Sequence, residues 1–380
     1  MLVCARCGAS FPDETNLWRC TCGGPFDYRF EQDLSFDPEQ LSRRHDGFWK
    51  YGRALGLRHP EKAARLGEGQ TPLLPLEWDG RTVFWKLDFL LPTGSYKDRG
   101  TAVMAASLAE TGRREIVEDS SGNAGSSLAA YCAASGITCH VFVPASTSEG
   151  KCLQIGSYGA HIHRVPGSRE DTTAAAVAMG ETHFYSSHNW NPWFALGVRT
   201  WALEAWEQLD FRAPDAVVVP AGQGSLAIGA FRAFQELAAC GAISRMPRIY
   251  AVQAAECAPL AEAFDRGEDK PAAIEKGHTF AEGIASAEPV RGFQVIQAVR
   301  ETGGRFVRVN NGQIAAGFKS LARRGLFVEP TSAVVAPALS ELIKEGQILP
   351  NEITLTLLSG TGLKAVDHLA ELEQIERKYL

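Results

Sequence analysis

No apolar run in this 380-residue chain approaches the roughly 18 residues that a membrane span needs. The opening residues, MLVCARCGAS, lack the apolar segment of a secretory signal. Positive charge is not in excess: 38 Lys and Arg against 44 Asp and Glu leave a formal net charge of -6, which argues against a nucleic acid or an anionic membrane as partner. A secreted disulfide framework is missing too, because the nine cysteines are odd in number and unevenly spaced. Together these absences predict a cytoplasmic protein. Internal repeats, low-complexity tracts and long linkers are likewise lacking. What remains is an ordinary globular composition, 45% hydrophobic and 22% charged, in a chain long enough for two or more domains.

The chain is organised around Leu91-Pro92-Thr93-Gly94-Ser95-Tyr96-Lys97-Asp98-Arg99-Gly100. An apolar strand, Val83-Phe84-Trp85-Lys86-Leu87, runs into it, and a helical pattern begins near Thr101. Pro92 and Gly94 break regular structure between the two. Lys97 therefore sits on a turn or in the first turn of a helix, where the helix dipole disfavours a cation. A lysine so placed gives up its proton more readily, and a neutral amine is a nucleophile. The position predicts that Lys97 carries a Schiff base.

Beyond the lysine turn, strand and helix alternate with turns of a few residues. Strands are expected at 115–119, 138–143, 162–165, 216–220, 248–253, 305–309 and 353–358, with helices between most of them. This is the pattern of a parallel sheet with helices on both faces, in which ligands bind beyond the strand ends. Gly222, Gln223, Gly224 and Ser225 follow the apolar run Ala216-Val217-Val218-Val219-Pro220 and have the features of a phosphate cradle. The turn lacks the Gly-Lys-Ser/Thr of a P-loop. Gly222-x-Gly224-x-x-Ala227 also loosely fits a dinucleotide fingerprint, so a nicotinamide-dependent oxidoreductase and a plain packing turn stay open here. Asn123, in Ser121-Gly122-Asn123-Ala124, is either a helix N-cap or a donor to a cofactor hydroxyl. Ser359, after the last strand, is either a turn residue or a ligand.

Near the N-terminus, Cys4 and Cys7, then Cys20 and Cys22, give C-x2-C, a spacer of twelve and C-x-C. Glycines after each pair suit tight knuckles, and four thiolates satisfy a closed structural zinc site. A reduced, metal-free loop is the alternative. His140, His161, His163, His183 and His188 are scattered along the sequence and read as surface or packing residues rather than a triad or a metal set.

In their order, the lysine turn, the Asn123 turn, the Gly222 turn and Ser359-Gly360-Thr361-Gly362-Leu363-Lys364 resemble threonine synthase and its relatives, the pyridoxal-phosphate enzymes of the tryptophan-synthase-β fold type. The N-terminal cysteine pairs look like those of many threonine synthase-like proteins. The resemblance implies an α/β protein of two doubly wound, parallel or mixed-sheet domains with the cofactor in the cleft between them. A cysteine-rich, zinc-ribbon-like knuckle would span 1–25, a large cofactor-binding domain 26–100 with 205–380, and a smaller domain 101–204. It implies that Lys97 forms the Schiff base to pyridoxal 5'-phosphate and moves protons. Asn123 would bond the phenolic O3', while Gly222, Gln223, Gly224 and Ser225 hold the phosphate. Ser359 would face the pyridine nitrogen, and Ser121 and Ala124 would lie near the substrate carboxylate. A neutral hydroxyl at that nitrogen makes a gentler electron sink than an aspartate would, which suits elimination and replacement.

The chain departs from the family in one place. Threonine synthases usually carry an arginine after Asn-Pro-x that binds the phosphate of O-phosphohomoserine, and here the run is Asn191-Pro192-Trp193-Phe194. Arg199 or Lys151 is then the candidate cation. Trp190, Trp193 and Phe194 form either an apolar wall or core. The expected activity is elimination or replacement on a small α-amino acid, threonine formation first. A threonine/serine dehydratase or a β-replacing synthase using O-phosphoserine is the alternative, and a cofactor-binding protein without turnover stays open. The family also implies a homodimer.

Overall fold

The structure is a computed structural model that describes residues 1–44 and 46–366; the side chain of Lys151 and residues 367–380 of the expected large domain lie outside that set. The strands in chain order are β1 (Leu2–Cys4), β2 (Ser10–Phe11), β3 (Phe26–Tyr28), β4 (Leu73–Trp78), β5 (Arg81–Lys86), β6 (Glu115–Glu118) and β7 (Thr138–Pro144). They continue with β8 (His161–Val165), β9 (Phe184–Tyr185), β10 (Ala216–Pro220), β11 (Arg248–Ala254), β12 (Phe306–Val309) and β13 (Thr354–Leu357).

Two compact units result. The first comprises Met1–Gln70 and Leu91–Thr200. Its main sheet runs β8-β7-β6-β9, every neighbour parallel. Val117, Phe142 and Tyr185 on one face pack with Ala176 of the helix Arg169–Met179. That helix begins with a reciprocal capping box in which Ser168 and Asp171 satisfy each other's backbone N–H. A small antiparallel sheet, β2-β1-β3, forms the N-terminal knuckle and reaches Tyr28, slightly past the expected boundary.

The second unit comprises Thr71–Leu90 and Trp201–Leu380. Its sheet runs β12-β11-β10-β13-β5-β4 and is parallel except for the β4/β5 hairpin. Asp79 and Gly80 turn that hairpin with φ of 47° and 74°, the two-residue conformation whose twist matches the strands it joins. Strands β10 and β13 are buried throughout, as strands covered on both faces must be. Trp85, Val218, Tyr250, Val252 and Val307 share a core with Ala336, Leu339 and Leu342 of the helix Val335–Lys344.

The division differs from the expected 26–100 boundary: 26–70 and 91–100 fold with the first unit, and only the hairpin segment joins the larger sheet. Packing explains this. Residues 47–55 bury Phe48, Trp49, Tyr51 and Leu55, and Trp193 Nε1 donates to the Gly56 carbonyl at 2.9 Å. The helix Lys97–Glu110 packs against the helices Pro192–Val198 and Asn123–Ser135.

Candidate active site

The helix expected from Thr101 starts four residues earlier, so Lys97 is its first residue. Tyr96 occupies the N-cap without a side-chain cap bond. Asp98 fixes the turn. Its buried carboxylate accepts the Thr93 backbone N–H at 2.7 Å, the Thr93 hydroxyl at 2.6 Å and the Ser127 hydroxyl at 2.6 Å. One charge-assisted cluster thereby ties the lysine turn to the Asn123–Ser135 helix. Lys97 Nζ donates to Tyr96 Oη at 2.6 Å and lies 5.7 Å from the centre of the Phe194 ring. Beside it, Ser95 Oγ is buried without a hydrogen-bond partner among the described residues.

Lys86, at the end of β5, offers a contrast. It is fully buried and donates to the Thr71 carbonyl at 2.7 Å, Glu204 Oε1 at 2.5 Å and Gln208 Oε1 at 2.6 Å. Three acceptors use the three protons of its ammonium group. Lys86 is a structural ion pair.

Gly122, not Asn123, is the N-cap of the helix Asn123–Ser135, so the amide is not consumed as a capping group. Asn123 and Ser121 are half-buried and Ala124 is buried. Strand β6 delivers this turn, and its last residue is an unexpected acid. Glu118 is fully buried, accepts the backbone N–H of His188 at 3.1 Å and lies 3.3 Å from His188 Nδ1. Burial pushes its carboxyl up to about 7. Burial, and next the charge of Lys97, holds His188 well below the usual imidazole value. Next to it, Asp119 accepts Tyr185 Oη at 2.9 Å and Thr173 Oγ1 at 2.7 Å and pairs with Arg169 at 3.0 Å.

The second unit carries the other sequence-picked residues. Gly224, with φ of 82°, is the N-cap of the 15-residue helix Ser225–Ala239 and supplies no side chain to its first-turn N–H groups. A Cβ at Gly222 would meet Ile284 Cα at 2.6 Å, so the backbone of 283–284 lies directly against this turn. The Gln223 side chain is already used: its Nε2 donates to Ser286 Oγ at 2.8 Å, and its Oε1 accepts the Val290 N–H at 2.9 Å. Any contribution of Gln223 to an anion therefore comes from its backbone. At the end of β13, Ser359 Oγ lies 2.8 Å from Ser332 Oγ and 3.3 Å from Glu329 Oε1. Ser332 Oγ in turn accepts the N–H groups of Ser359 and Gly360 at 2.9 and 2.8 Å.

The four N-terminal cysteines converge. Cys4 and Cys22 sulfurs are 3.5 Å apart, those of Cys7 and Cys20 are 3.6 Å apart, and all four lie within 4.8 Å of one another. Tetrahedral thiolates at about 2.3 Å from zinc would be about 3.8 Å apart. The Arg6 and Cys7 N–H groups point at Cys4 Sγ, as backbone does around a knuckle.

The expected substitute cation and the aromatic wall resolve differently. Arg199 is buried and donates to the Ala54 carbonyl. Phe194 is buried against Gly100 and His188, and Trp193 is buried with its indole on Gly56. These aromatics are packing residues. Sequence reasoning missed Asp98, Glu118, His188, Glu329 and Ser332. A charge ending the apolar run Ile116-Val117 was the one available signal for Glu118, since a buried charge demands partners.

The arrangement of sheets matches that of solved pyridoxal-phosphate enzymes of the tryptophan-synthase-β type. Threonine deaminase isoform 2 from Solanum lycopersicum superposes with a TM-score of 0.70 at 19% identity, covering 90% of this chain and 91% of that one. Maize serine racemase gives 0.68 at 21% identity, covering 86% and 98%. Residues 64–360 match the family described as pyridoxal-phosphate dependent enzyme. Threonine synthase from Methanocaldococcus jannaschii is 32% identical over 375 residues, 96% of this chain and 93% of that protein. Threonine synthase from Mycobacterium tuberculosis is 31% identical over 310 residues, 80% and 84% of the two chains. The chain belongs to the pyridoxal-phosphate dependent enzymes and is a threonine synthase-like lyase. Within each unit the residues have chemistry that fits that cofactor: in the first, a lysine with an orphaned hydroxyl beside it; in the second, a helix N-terminus without a side-chain cap behind a glycine turn that a Cβ would fill, and a buried serine.

Proposed function

We propose that the chain converts O-phosphohomoserine to threonine and phosphate. The observation that carries this reading is the likeness to threonine synthases along 96% of the chain, which includes the Lys97 turn. Bound pyridoxal phosphate supplies an electron sink for carbanions next to the amino-bearing carbon. Lys97 holds the cofactor covalently and moves protons at the substrate carbons. Asn123 donates its amide to the phenolic oxygen, and Asp98 keeps the lysine and Asn123 elements in register. The backbone of Gly222, Gln223, Gly224 and Ser225, with the following helix N-terminus, receives the phosphate. Ser359 meets the ring nitrogen, while Ser121 and Ala124 border the substrate carboxylate. Cys4, Cys7, Cys20 and Cys22 hold a structural zinc ion. The protein works as a homodimer in the cytoplasm, a setting in keeping with its nine unpaired cysteines.

A second reading rests on Phe194. It stands where the phosphate-binding arginine is expected and is buried in packing, which favours a leaving group or acceptor different from those of a threonine synthase. Dehydration of threonine or serine, or β-replacement on O-phosphoserine, is that alternative. A substrate panel separates the two. Phosphate and threonine released together from O-phosphohomoserine support the synthase, and a 2-oxo acid with ammonia supports the dehydratase. Inertness to O-phosphohomoserine alongside turnover of another amino acid refutes the first reading.

A further inference from the structure

Far from the lysine turn in sequence, the starts of β6 and β7 and the turn before β9 bring three metal-binding side chains together. Glu115 Oε1 lies 3.0 Å from His140 Nε2 and 3.4 Å from His183 Nε2, and one ligand atom from each falls within 4.8 Å of the others. Ligands bound at about 2.0–2.1 Å to one ion sit about 3.0 Å apart at right angles and about 3.4 Å apart in a tetrahedron. The observed spacings match those limits. The scatter of these histidines along the sequence therefore misleads: the sheet folds them into one cluster.

The register explains how. Val117 of β6 pairs with His140 of β7, which pairs with His161 of β8, so Glu115, His140, His161 and His163 share one face of the sheet. His183 arrives on the turn that closes the Arg169–Met179 helix, its ring 5.4 Å from that of His140. Behind the three ligands, His140 Nδ1 lies 3.0 Å from His163 Nε2, and the His163 ring stacks on Phe142 at 4.5 Å. His140 thus has a polar partner at each ring nitrogen, His163 at Nδ1 and Glu115 at Nε2. In the tautomer that gives Nδ1–H to His163, Nε2 presents its lone pair beside the Glu115 carboxylate, where a cation would be shared by both, and His163 then orients His140 as outer partners of metal-bound histidines do. The Glu115 side chain is 50% exposed and that of His183 25%, so the site opens to solvent and an ion can reach it.

We propose that Glu115, His140 and His183 form a second metal site, distinct from the cysteine knuckle. It is a two-histidine, one-carboxylate set for a divalent first-row transition ion of the zinc class, with solvent completing the shell. Such ligands favour zinc, nickel or cobalt over the hard magnesium and calcium ions. The ion would pin β6, β7 and the turn before β9, and β6 is the strand that ends at the Asn123 turn.

The test uses the full-length, cofactor-loaded protein equilibrated with about 10 µM free zinc chloride and freed of unbound metal by gel filtration. Metal equivalents are counted by elemental analysis in the wild type, Glu115→Gln, His183→Gln and a control, His59→Gln, which alters an exposed His59–Glu61 pair. The wild type and the control are expected to hold one zinc equivalent more than Glu115→Gln and His183→Gln. Circular dichroism and the visible absorbance of the cofactor should be the same in all four. Equal zinc content in the wild type and both site variants overturns the proposal, and so does an equal loss in the His59→Gln control.

Discussion

The His188 backbone N–H donates to Glu118 Oε2 at 3.1 Å, and the His188 ring stands 3.3 Å from the other oxygen of the same carboxyl group. Glu118 is fully buried and His188 nearly so, and each is driven toward its neutral form. For Glu118 the shift is from 4.5 to about 7, with burial as its largest cause. A raised carboxyl value means that the folded state holds the proton more tightly than the unfolded one. The stabilisation is therefore fully present below pH 4.5 and is lost as pH climbs to about 7. At about 1.4 kcal/mol per unit, the effect is on the order of 3 kcal/mol. Glu118→Gln should flatten the pH dependence of the unfolding midpoint across this window and raise the midpoint at pH 8. An unchanged pH slope in the variant would remove the buried acid from this account.

Two lysines near the chain's turns should behave in opposite ways. Lys97→Ala should abolish the visible absorbance of the bound cofactor and lower turnover by about 10³-fold or more, at least about 4 kcal/mol of barrier, with the fold intact. Lys86→Ala leaves Glu204 buried without its cation, which costs about 3–5 kcal/mol of stability. The folded Lys86 variant should still take up the cofactor. Absorbance spectra and thermal unfolding of the two variants, side by side, check both statements.

Gly100 is small because of Phe194. A Cβ at Gly100 would lie 2.5 Å from the Phe194 ring, closer than side chains tolerate. Gly100→Ala is expected to lower stability by about 1–3 kcal/mol, and Phe194→Leu in the same chain should recover part of that loss. A double-mutant cycle in urea reads the coupling. Additive effects would show that the ring moves aside freely.

Removing the knuckle's metal should act on the knuckle alone. Cys7→Ser is expected to lose one zinc equivalent and to speed hydrogen exchange at the amides of 1–28, because metal binding and folding are one process in such small motifs. Less than half an equivalent in protein purified without chelator would leave the knuckle as a reduced, metal-free loop.

Much of the fold was legible because β10 is apolar throughout, β13 alternates threonine with leucine, and each empties into a glycine turn, a signal that survives without any tertiary information. The start of the Lys97 helix was misplaced by four residues because Asp98, not a cap residue, holds the turn through Thr93 and Ser127, a partner nearly thirty positions away. The unit boundary was hidden for a similar reason: the aromatics of 47–55 reveal their packing partner only when the Pro192–Val198 helix is in place. The histidines show the limit most clearly. Their spacing in sequence has no period, and the parallel register of β6, β7 and β8 alone puts them on one face.

Ser332 has already taken two backbone N–H groups, so its own proton must point outward, to Ser359 Oγ or to the Gly360 carbonyl at 3.2 Å. When it points to Ser359, the Ser359 hydroxyl keeps one proton of its own and a choice of direction. It can give that proton to an arriving neutral nitrogen, or turn it to Glu329 and receive a proton from a charged one. The three side chains thus form a hydrogen-bond chain whose polarity is set by whatever meets it. A serine at this position need not commit the site to one charge state; with Glu329 behind it, the same hydroxyl can serve either.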